Sequence, residues 1–288
     1  MTNNFKPAVL ITGAAGYLGQ ETLKQLVQHR DKLCRLIAMD VREVAPQSRF
    51  AGIDYVCADI RSPEIAALFK KYGVEIVVHL AAIVTPGRKS NRELEYSIDV
   101  LGTKNILEAC VQAGVRKIIV TSSGAAYGYY PDNPAWLQEA DPLRGNEEFA
   151  YSYHKRLVEE MLARYREQHP ELQQLIFRPG TVLGKNVSNP ISALFEKNMV
   201  IGLRGASSPF VFVWDQDVAA CIVKGVLDNK TGIYNLAGDG TLNMREIAAM
   251  LHKPYIQLPV SLVKSGLWLL RKLRLSQYGP EQVNFLRK

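Results

Sequence analysis

Cysteine is scarce in this chain, and what it has is dispersed. Cys34, Cys57, Cys110 and Cys221 form no C-x-x-C pair and no spacing that suits zinc. A disulfide scaffold and a cysteine-built metal centre are excluded, and no metal site is expected. Isolated cysteines in a chain of this length are expected as reduced, mostly buried apolar residues of a cytoplasmic protein. Long apolar runs are also missing. A membrane span needs roughly 20 such residues, and the best candidate, Pro259 to Leu275, is cut by Lys264, Arg271 and Lys272. Met1 to Lys6 shows no basic region followed by an apolar core, so no signal peptide is expected. Nor is charge in broad excess. The 288 residues carry 35 Lys+Arg against 28 Asp+Glu, a net of +7, of which +5 falls between Lys264 and Lys288. The body is thus close to neutral and makes no case for nucleic acid. With 47% hydrophobic and 22% charged residues the composition is that of a folded globular protein, not of a disordered or collagen-like chain.

Short apolar runs alternate with amphipathic segments through the first two thirds of the chain. Ala8 to Thr12 leads into a glycine-rich turn, and Tyr17 to His29 follows with helical spacing. Leu33 to Met39 and Asp54 to Ala58 are the second and third runs, ending at Asp40 and Asp59. Pro63 to Tyr72 reads as a helix, Glu75 to Ala82 as the fourth run, and Tyr96 to Ala113 as a long helix stopped by Gly114. Lys117 to Ser122, a helix over Tyr151 to His169, and Gln174 to Arg178 complete the series. Runs of four to eight residues separated by helices predict βαβ units, hence an α/β fold with a doubly wound parallel sheet of Rossmann type. Near-continuous Val, Ile and Leu fits strands covered on both faces. After Thr181 the rhythm weakens, and a smaller C-terminal lobe is expected. We expect residues 1–182 to form the cofactor-binding domain, with 210–240 returning to it, and 183–209 with 241–288 to form the substrate lobe. Phe210 to Val213 and Gly232 to Leu236 are expected as late strands of the main sheet.

Thr12 to Gly19 reads TGAAGYLG, a G-x-x-G-x-x-G pattern that follows a strand and opens a helix. Gly13 permits the tight turn, Gly16 lets the backbone approach a pyrophosphate, and Gly19 lets helix and strand pack closely. Free N–H groups and the positive helix end favour phosphate oxygens. Asp40, 21 residues after Gly19, can accept both ribose hydroxyls and repel a 2′-phosphate, which favours NAD over NADP. Arg42 pulls the other way, because a guanidinium can bind that phosphate. Asp59 can reach the adenine amino group or cap the helix that follows.

Tyr151 and Lys155 stand at i and i+4 on the predicted helix and so face one way. A phenol near its ordinary pKa of about 10 is a poor base at neutral pH. A neighbouring ammonium stabilises the phenolate, which can then take a proton from an alcohol as hydride leaves. Ser122 and Ser123 end the fifth run, where a hydroxyl can orient the substrate oxygen.

Together these segments resemble the short-chain dehydrogenase/reductase superfamily in its extended, NAD-dependent epimerase/dehydratase branch. The resemblance is carried by TGAAGYLG at Thr12–Gly19, HLAA at His79–Ala82, GTKNILEAC at Gly102–Cys110 and TSSGAAYG at Thr121–Gly128. YSYHK at Tyr151–Lys155, FRPGTVLG at Phe177–Gly184 and GIYNLAGDG at Gly232–Gly240 continue it. It implies Tyr151 as the acid/base, Lys155 as its activator and ribose ligand, and Ser123 as the hydroxyl that orients substrate. It implies cofactor contacts from Gly13, Gly16, Tyr17, Leu18 and Gly19, from Asp40, Arg42, Asp59 and Ile60, and from Leu80, Ala81, Ala82 and Thr121. Pro179, Thr181 and Val182 would meet the nicotinamide end. Thr85, Tyr127, Thr181 and Phe212 fall where relatives often touch substrate. The expected activity is hydride transfer between NAD and a secondary alcohol or ketone. The alternative is a nucleotide-sugar epimerase or dehydratase that keeps its NAD bound.

Three departures stand out. Asp99 replaces the asparagine of the family's N-V-x-G-T-x-N. His154 occupies a position that is often Ser or Thr, and is expected to face outward. Phe210 and Val211 stand where nucleotide-sugar enzymes often carry an Arg-Asp pair, which lowers the case for a diphosphate substrate; Arg204 or Lys185 would have to substitute. The remaining expectations are a small-molecule substrate, no nucleic-acid partner, and a homodimer through the helices at 96–113 and 151–169. A C-terminal helix is expected to pack its Leu/Trp face on the substrate lobe or on a second subunit. Contact of that basic helix with a membrane surface is the lesser alternative.

Overall fold

Apolar runs become strands and amphipathic segments become helices. The computed structural model describes residues 6–85, 91–185, 187, 189, 191–206, 209–273, 279–280 and 283. The chain begins β1 (Ala8–Thr12), α1 (Tyr17–Val27), β2 (Arg35–Asp40), β3 (Asp54–Cys57), α2 (Ile65–Tyr72) and β4 (Ile76–His79). There follow α3 (Arg92–Tyr96), a π-helical segment (Ser97–Gly102) and α4 (Thr103–Ala113), then β5 (Lys117–Thr121), α5 (Ala150–Gln168) and β6 (Gln173–Pro179). The last third holds β7 (Thr181–Leu183), α6 (Ser192–Phe195), β8 (Val200–Leu203), β9 (Phe212–Trp214), α7 (Asp215–Leu227) and β10 (Gly232–Leu236). It closes with α8 (Met244–Met250), β11 (Tyr255–Leu258) and α9 (Val260–Lys272).

Seven strands form one parallel sheet in the order β10-β6-β5-β4-β1-β2-β3. The order reverses between β1 and β4, so a crevice opens there beyond the strand C-termini. Side chains alternate across the sheet with period two. Leu10, Met39, Val77 and Ile118 face a core closed by Phe69, Ile106, Leu107 and Leu162. Val9, Ile11, Leu36, Val78 and Ile119 face the opposite core, closed by Leu23, Leu26, Val218 and Ile222. Helices α2 and α4 end on Gly73 and Gly114, both left-handed at φ +59° and +69°, where a side chain would be strained. At the start of β5 the buried Lys117 ammonium donates to the carbonyls of Gly225 (2.6 Å) and Asp228 (2.9 Å) at the end of α7. A cation there complements the negative end of the helix.

Two expectations change. Gly232–Leu236 does join the main sheet, on β6, but Phe212–Trp214 does not: it pairs with β7 in a separate two-stranded ribbon. The residues around it belong to a third apolar cluster, with Val200, Phe210, Met244, Ile247 and Ala248 buried and Phe195, Phe212 and Tyr255 packed on them. In helix α9 Val263 and Leu267 are half-buried, but Leu262, Trp268, Leu269 and Leu270 are exposed, as is Leu273 just beyond it. Its Leu/Trp face is therefore not packed on the lobe. Arg274, Glu281, Arg287 and Lys288 lie outside the described residues. Among the described residues no helix is long and apolar enough to cross a membrane.

Candidate active site

The turn between β1 and α1 is shaped by its glycines. Gly13 takes φ +69°, and a Cβ there would lie 2.7 Å from the backbone nitrogen of Ala81. At Gly19 a Cβ would come within 2.4 Å of the Gly13 carbonyl. Three amides of the turn are already engaged: Ala14 N–H with Met39 O, Ala15 N–H with the Asp40 carboxylate, and Gly16 N–H with Gly13 O. Those of Tyr17, Leu18 and Gly19 open α1 and have no intrahelical acceptor. Gly16 caps the helix without a side chain, and its first turn carries no acid. Such an end fits a pyrophosphate. The Tyr17 phenol is pushed up to about 12 by burial, with Tyr151 and Asp215 adding to the effect.

Asp40 ends β2 with its side chain 6% exposed. One oxygen accepts the Ala15 N–H at 2.9 Å; the other accepts the Arg42 N–H at 2.9 Å and its guanidinium Nε at 3.2 Å. Arg42 is thus folded back onto Asp40 rather than presented alone. Ala38, Val44, Arg49, Tyr55 and Val56 join them around a shallow cleft at this strand end. Asp59 does not cap α2. It forks the Arg61 guanidinium at 2.6–3.1 Å, and that hydrogen bond holds its carboxyl below the usual range. Ile60 is buried beneath Gly102, where a Cβ would approach its side chain to 2.5 Å.

At the end of β4 a polar chain crosses the core. Thr103 donates to the Asp99 carbonyl at 2.6 Å, so its oxygen receives His79 Nε2–H at 2.9 Å. His79 Nδ1 therefore accepts the Thr12 hydroxyl at 2.7 Å, and Thr12 in turn accepts the amides of Leu80 and Ala81. Burial, with Lys155 nearby, drives His79 down to about 3, so it is neutral in this chain. Leu80, Ala81 and Ala82 are half-buried along the crevice. Ala81 and Ala82 share a small cleft with His79, Asp99, Thr121 and Lys155.

Helix α5 presents Tyr151 and Lys155 on one side, with the Lys155 ammonium 5.7 Å from the Tyr151 ring centre. That ammonium donates to Thr121 O at 3.0 Å. Thr121 Oγ1 is buried with no hydrogen-bond partner among the described residues. The Ser123 hydroxyl pulls down the pKa of the Tyr151 phenol beside it, against burial and the Asp99 charge, and the phenol stands at about 12. Burial lowers Lys155, opposed by Asp99 and Glu159. Ser152, fully buried one residue along, donates to Ala125 O at 2.6 Å and accepts the Asn146 N–H at 2.9 Å, so the start of α5 is tied to the turn after Ser123.

Ser122 points elsewhere. Its hydroxyl donates to Glu159 at 2.5 Å, and Glu159 is forked by Arg178 at 2.6–2.9 Å, all buried. Arg178 also donates to the Tyr127 hydroxyl at 2.7 Å, which lies 2.8 Å from Asn235 Oδ1. Tyr127 is 2% exposed and meets protein rather than the crevice. Pro179 is buried, Thr181 and Val182 are half-buried in β7, and Thr181 stands opposite the half-buried Phe212. Phe210 is core, stacked on Phe212 at 5.8 Å and met edge-on by Phe195. Thr85, Lys185 and Arg204 are exposed.

Two pairs were not read from the sequence as site residues. One is Glu159 with Arg178; Glu159 lies four residues after Lys155 on the same helix side, a spacing that signals a further member of the cluster. The other is Asp99 with His154. The outward-facing reading of His154 is corrected: it is 1% exposed, and its Nδ1 lies 3.2 Å from Asp99 Oδ2. The π-helical segment at Ser97–Gly102 and the packing of α5 against it bring the two together.

Known proteins resemble this arrangement. An uncharacterized protein of Mycobacterium tuberculosis is 24% identical over 282 residues, covering 96% of this chain and 73% of that one. The 3beta-hydroxysteroid-dehydrogenase/decarboxylase isoform 2 of Arabidopsis thaliana is 27% identical over 215 residues, 70% of this chain and 36% of that one. The UDP-glucose 4-epimerase of Thermus thermophilus, solved in complex with NAD, superposes with a TM-score of 0.71 at 25% identity, covering 88% of this chain and 86% of that one. The model of the NAD dependent epimerase/dehydratase family matches residues 9–237. With its parallel sheet, its glycine turn and its Ser123–Tyr151–Lys155 cluster, the chain belongs to that family.

Proposed function

We propose that this protein is an NAD-dependent oxidoreductase acting on a secondary alcohol or ketone, with Tyr151 as acid/base. The observation that carries it is the cluster of Ser123, Tyr151 and Lys155 beyond β5, across the crevice from the glycine turn. The amides opening α1 hold the pyrophosphate, and Asp40 takes the ribose hydroxyls, with Arg42 held against it. That pairing supports NAD over NADP. Lys155 and the Thr121 hydroxyl, which has no partner among the described residues, take the nicotinamide ribose. Bound NAD supplies the hydride acceptor and a positive ring beside the phenol. Ser123 holds the substrate oxygen next to Tyr151. Tyr151 takes the alcohol proton in oxidation and returns it in reduction. The positive ring of bound NAD would lower the phenol from the about 12 it has without cofactor, with Lys155 holding the ribose beside it.

The second reading is a nucleotide-sugar epimerase or dehydratase with retained NAD, favoured by the likeness to the Thermus UDP-glucose 4-epimerase. The buried Phe210, in place of an arginine, speaks against a diphosphate there. A screen of alcohols and nucleotide sugars at 340 nm decides. Net NADH from an alcohol supports the oxidoreductase; retained cofactor with product but no net NADH supports the epimerase. Tyr151→Phe is expected to lower turnover by about 10²–10⁴-fold with NADH affinity nearly unchanged, and unchanged turnover would remove Tyr151 from its role.

We assign residues 1–182 with 210–240 to the cofactor domain and 183–209 with 241–288 to the substrate lobe; β10 in the main sheet and the separate cluster of Val200, Met244, Ile247 and Ala248 support it, with Phe210 and Phe212 packed on that cluster from the cofactor side. A cytoplasmic homodimer completes the proposal. The four free cysteines support the compartment. The exposed Leu94, Tyr96 and Leu101 beside α4 and α5 support the dimer, which light scattering tests. We assign the exposed face of α9 to protein packing rather than lipid, and flotation with anionic vesicles tests that.

A further inference from the structure

Asp99 and His154 form a buried hydrogen-bonded pair that the hydride-transfer chemistry leaves unused. Their side chains are 5% and 1% exposed, with Nδ1 and Oδ2 3.2 Å apart. The second carboxylate oxygen accepts the Ile83 N–H at 2.8 Å, holding the segment that leaves β4 along the crevice. Asp99 stands on the π-helical segment, and such segments gather at functional sites. His154 Nε2 is buried with no hydrogen-bond partner among the described residues. A carboxylate so buried needs its charge offset. The groups near it are His154, Lys155 and Tyr151 from α5 and His79 from β4; Thr103 from α4 donates to the Asp99 backbone carbonyl, and the Tyr96 ring from α3 meets the edge of His154. His79 is neutral. Among the described residues His154 donates to Asp99 and Lys155 is the cation near it, and the Asp99 field reaches both Lys155 and Tyr151.

We propose that Asp99 and His154 are a positioning pair that sets the charge felt by Tyr151 and Lys155 while clamping the 81–83 segment. The inference rests on Tyr151 being the acid/base. The imidazole donates to one carboxylate oxygen and draws its charge away from the phenol, while the other oxygen keeps Ile83 in place. Neither side chain needs to touch substrate.

The test uses the full chain with 3,5-difluorotyrosine at position 151. The ring fluorines lower the phenol from its raised value into a range the folded protein can be titrated through, and give a fluorine signal that titrates. Asp99→Asn should lower the midpoint by roughly one unit, because a negative charge has gone. His154→Ala should raise it. His154→Asn, whose amide N–H replaces Nδ1–H, should restore the starting midpoint. With Asp99→Asn already present, His154→Ala should move nothing further. Asp99→Ala, which removes the acceptor for Ile83, should weaken NADH binding roughly tenfold by fluorescence. An unmoved midpoint in Asp99→Asn, which is isosteric and decides the matter even where His154→Ala fails to fold, would overturn the proposal. So would a His154→Ala shift that persists without the Asp99 charge. Neither readout needs a substrate, so failure here is separate from failure to find turnover.

Discussion

Single residues show where burial settles what composition leaves open. Ser122 and Ser123 are equivalent as letters, yet Glu159 takes one hydroxyl and leaves the other to Tyr151. The spacing of Tyr151 and Lys155 was legible because i and i+4 share a helix face. The Asp99–His154 pair was not, because its members are 55 residues apart and meet only through packing. His79 gives a prediction at this scale. Its folded pKa of about 3 lies below the ordinary 6.5, so between those values the unfolded chain binds the extra proton. Stability is then unaffected above pH 6.5 and falls as pH drops through the window, by about 1.4 kcal/mol per pH unit. Urea unfolding between pH 6.5 and 5 should show that slope, and His79→Asn should flatten it.

Strands covered on both faces were legible to within three residues at either end, since an unbroken apolar run has no other use. β7 and β9 were not, because three-residue strands carry no period. Phe212 and its neighbours read as one more buried strand, whereas their partner is the short stretch after Pro179. Two element-scale outcomes follow from contacts. Gly19→Ala drives a methyl to 2.4 Å from the Gly13 carbonyl, so the turn must distort. NADH fluorescence should report lost binding while the far-ultraviolet circular dichroism stays near that of the parent. Lys117→Met leaves two carbonyls at the end of α7 without their donor. The cost should be on the order of 2 kcal/mol, seen as a Tm lower by roughly 4–8 °C.

For the whole molecule, the sheet order and its reversal between β1 and β4 place the turn, Asp40, the β4 exit and α5 around one crevice. A cofactor bridging them holds the two halves of the sheet together. NAD at about 100 times its Kd should add about 2.7 kcal/mol, raising Tm by roughly 5–10 °C in differential scanning fluorimetry. UDP-glucose alone should leave Tm unmoved if the substrate is a simple alcohol. The seam at that reversal has one more consequence. Gly13 lies flat against Ala81, and one threonine hydroxyl receives the amides of both Leu80 and Ala81. The phosphate turn and the β4 exit are thus cast as one piece. A turn transplanted from another protein would have to arrive with its own opposite wall, so these two stretches, far apart in sequence, are a single interchangeable part.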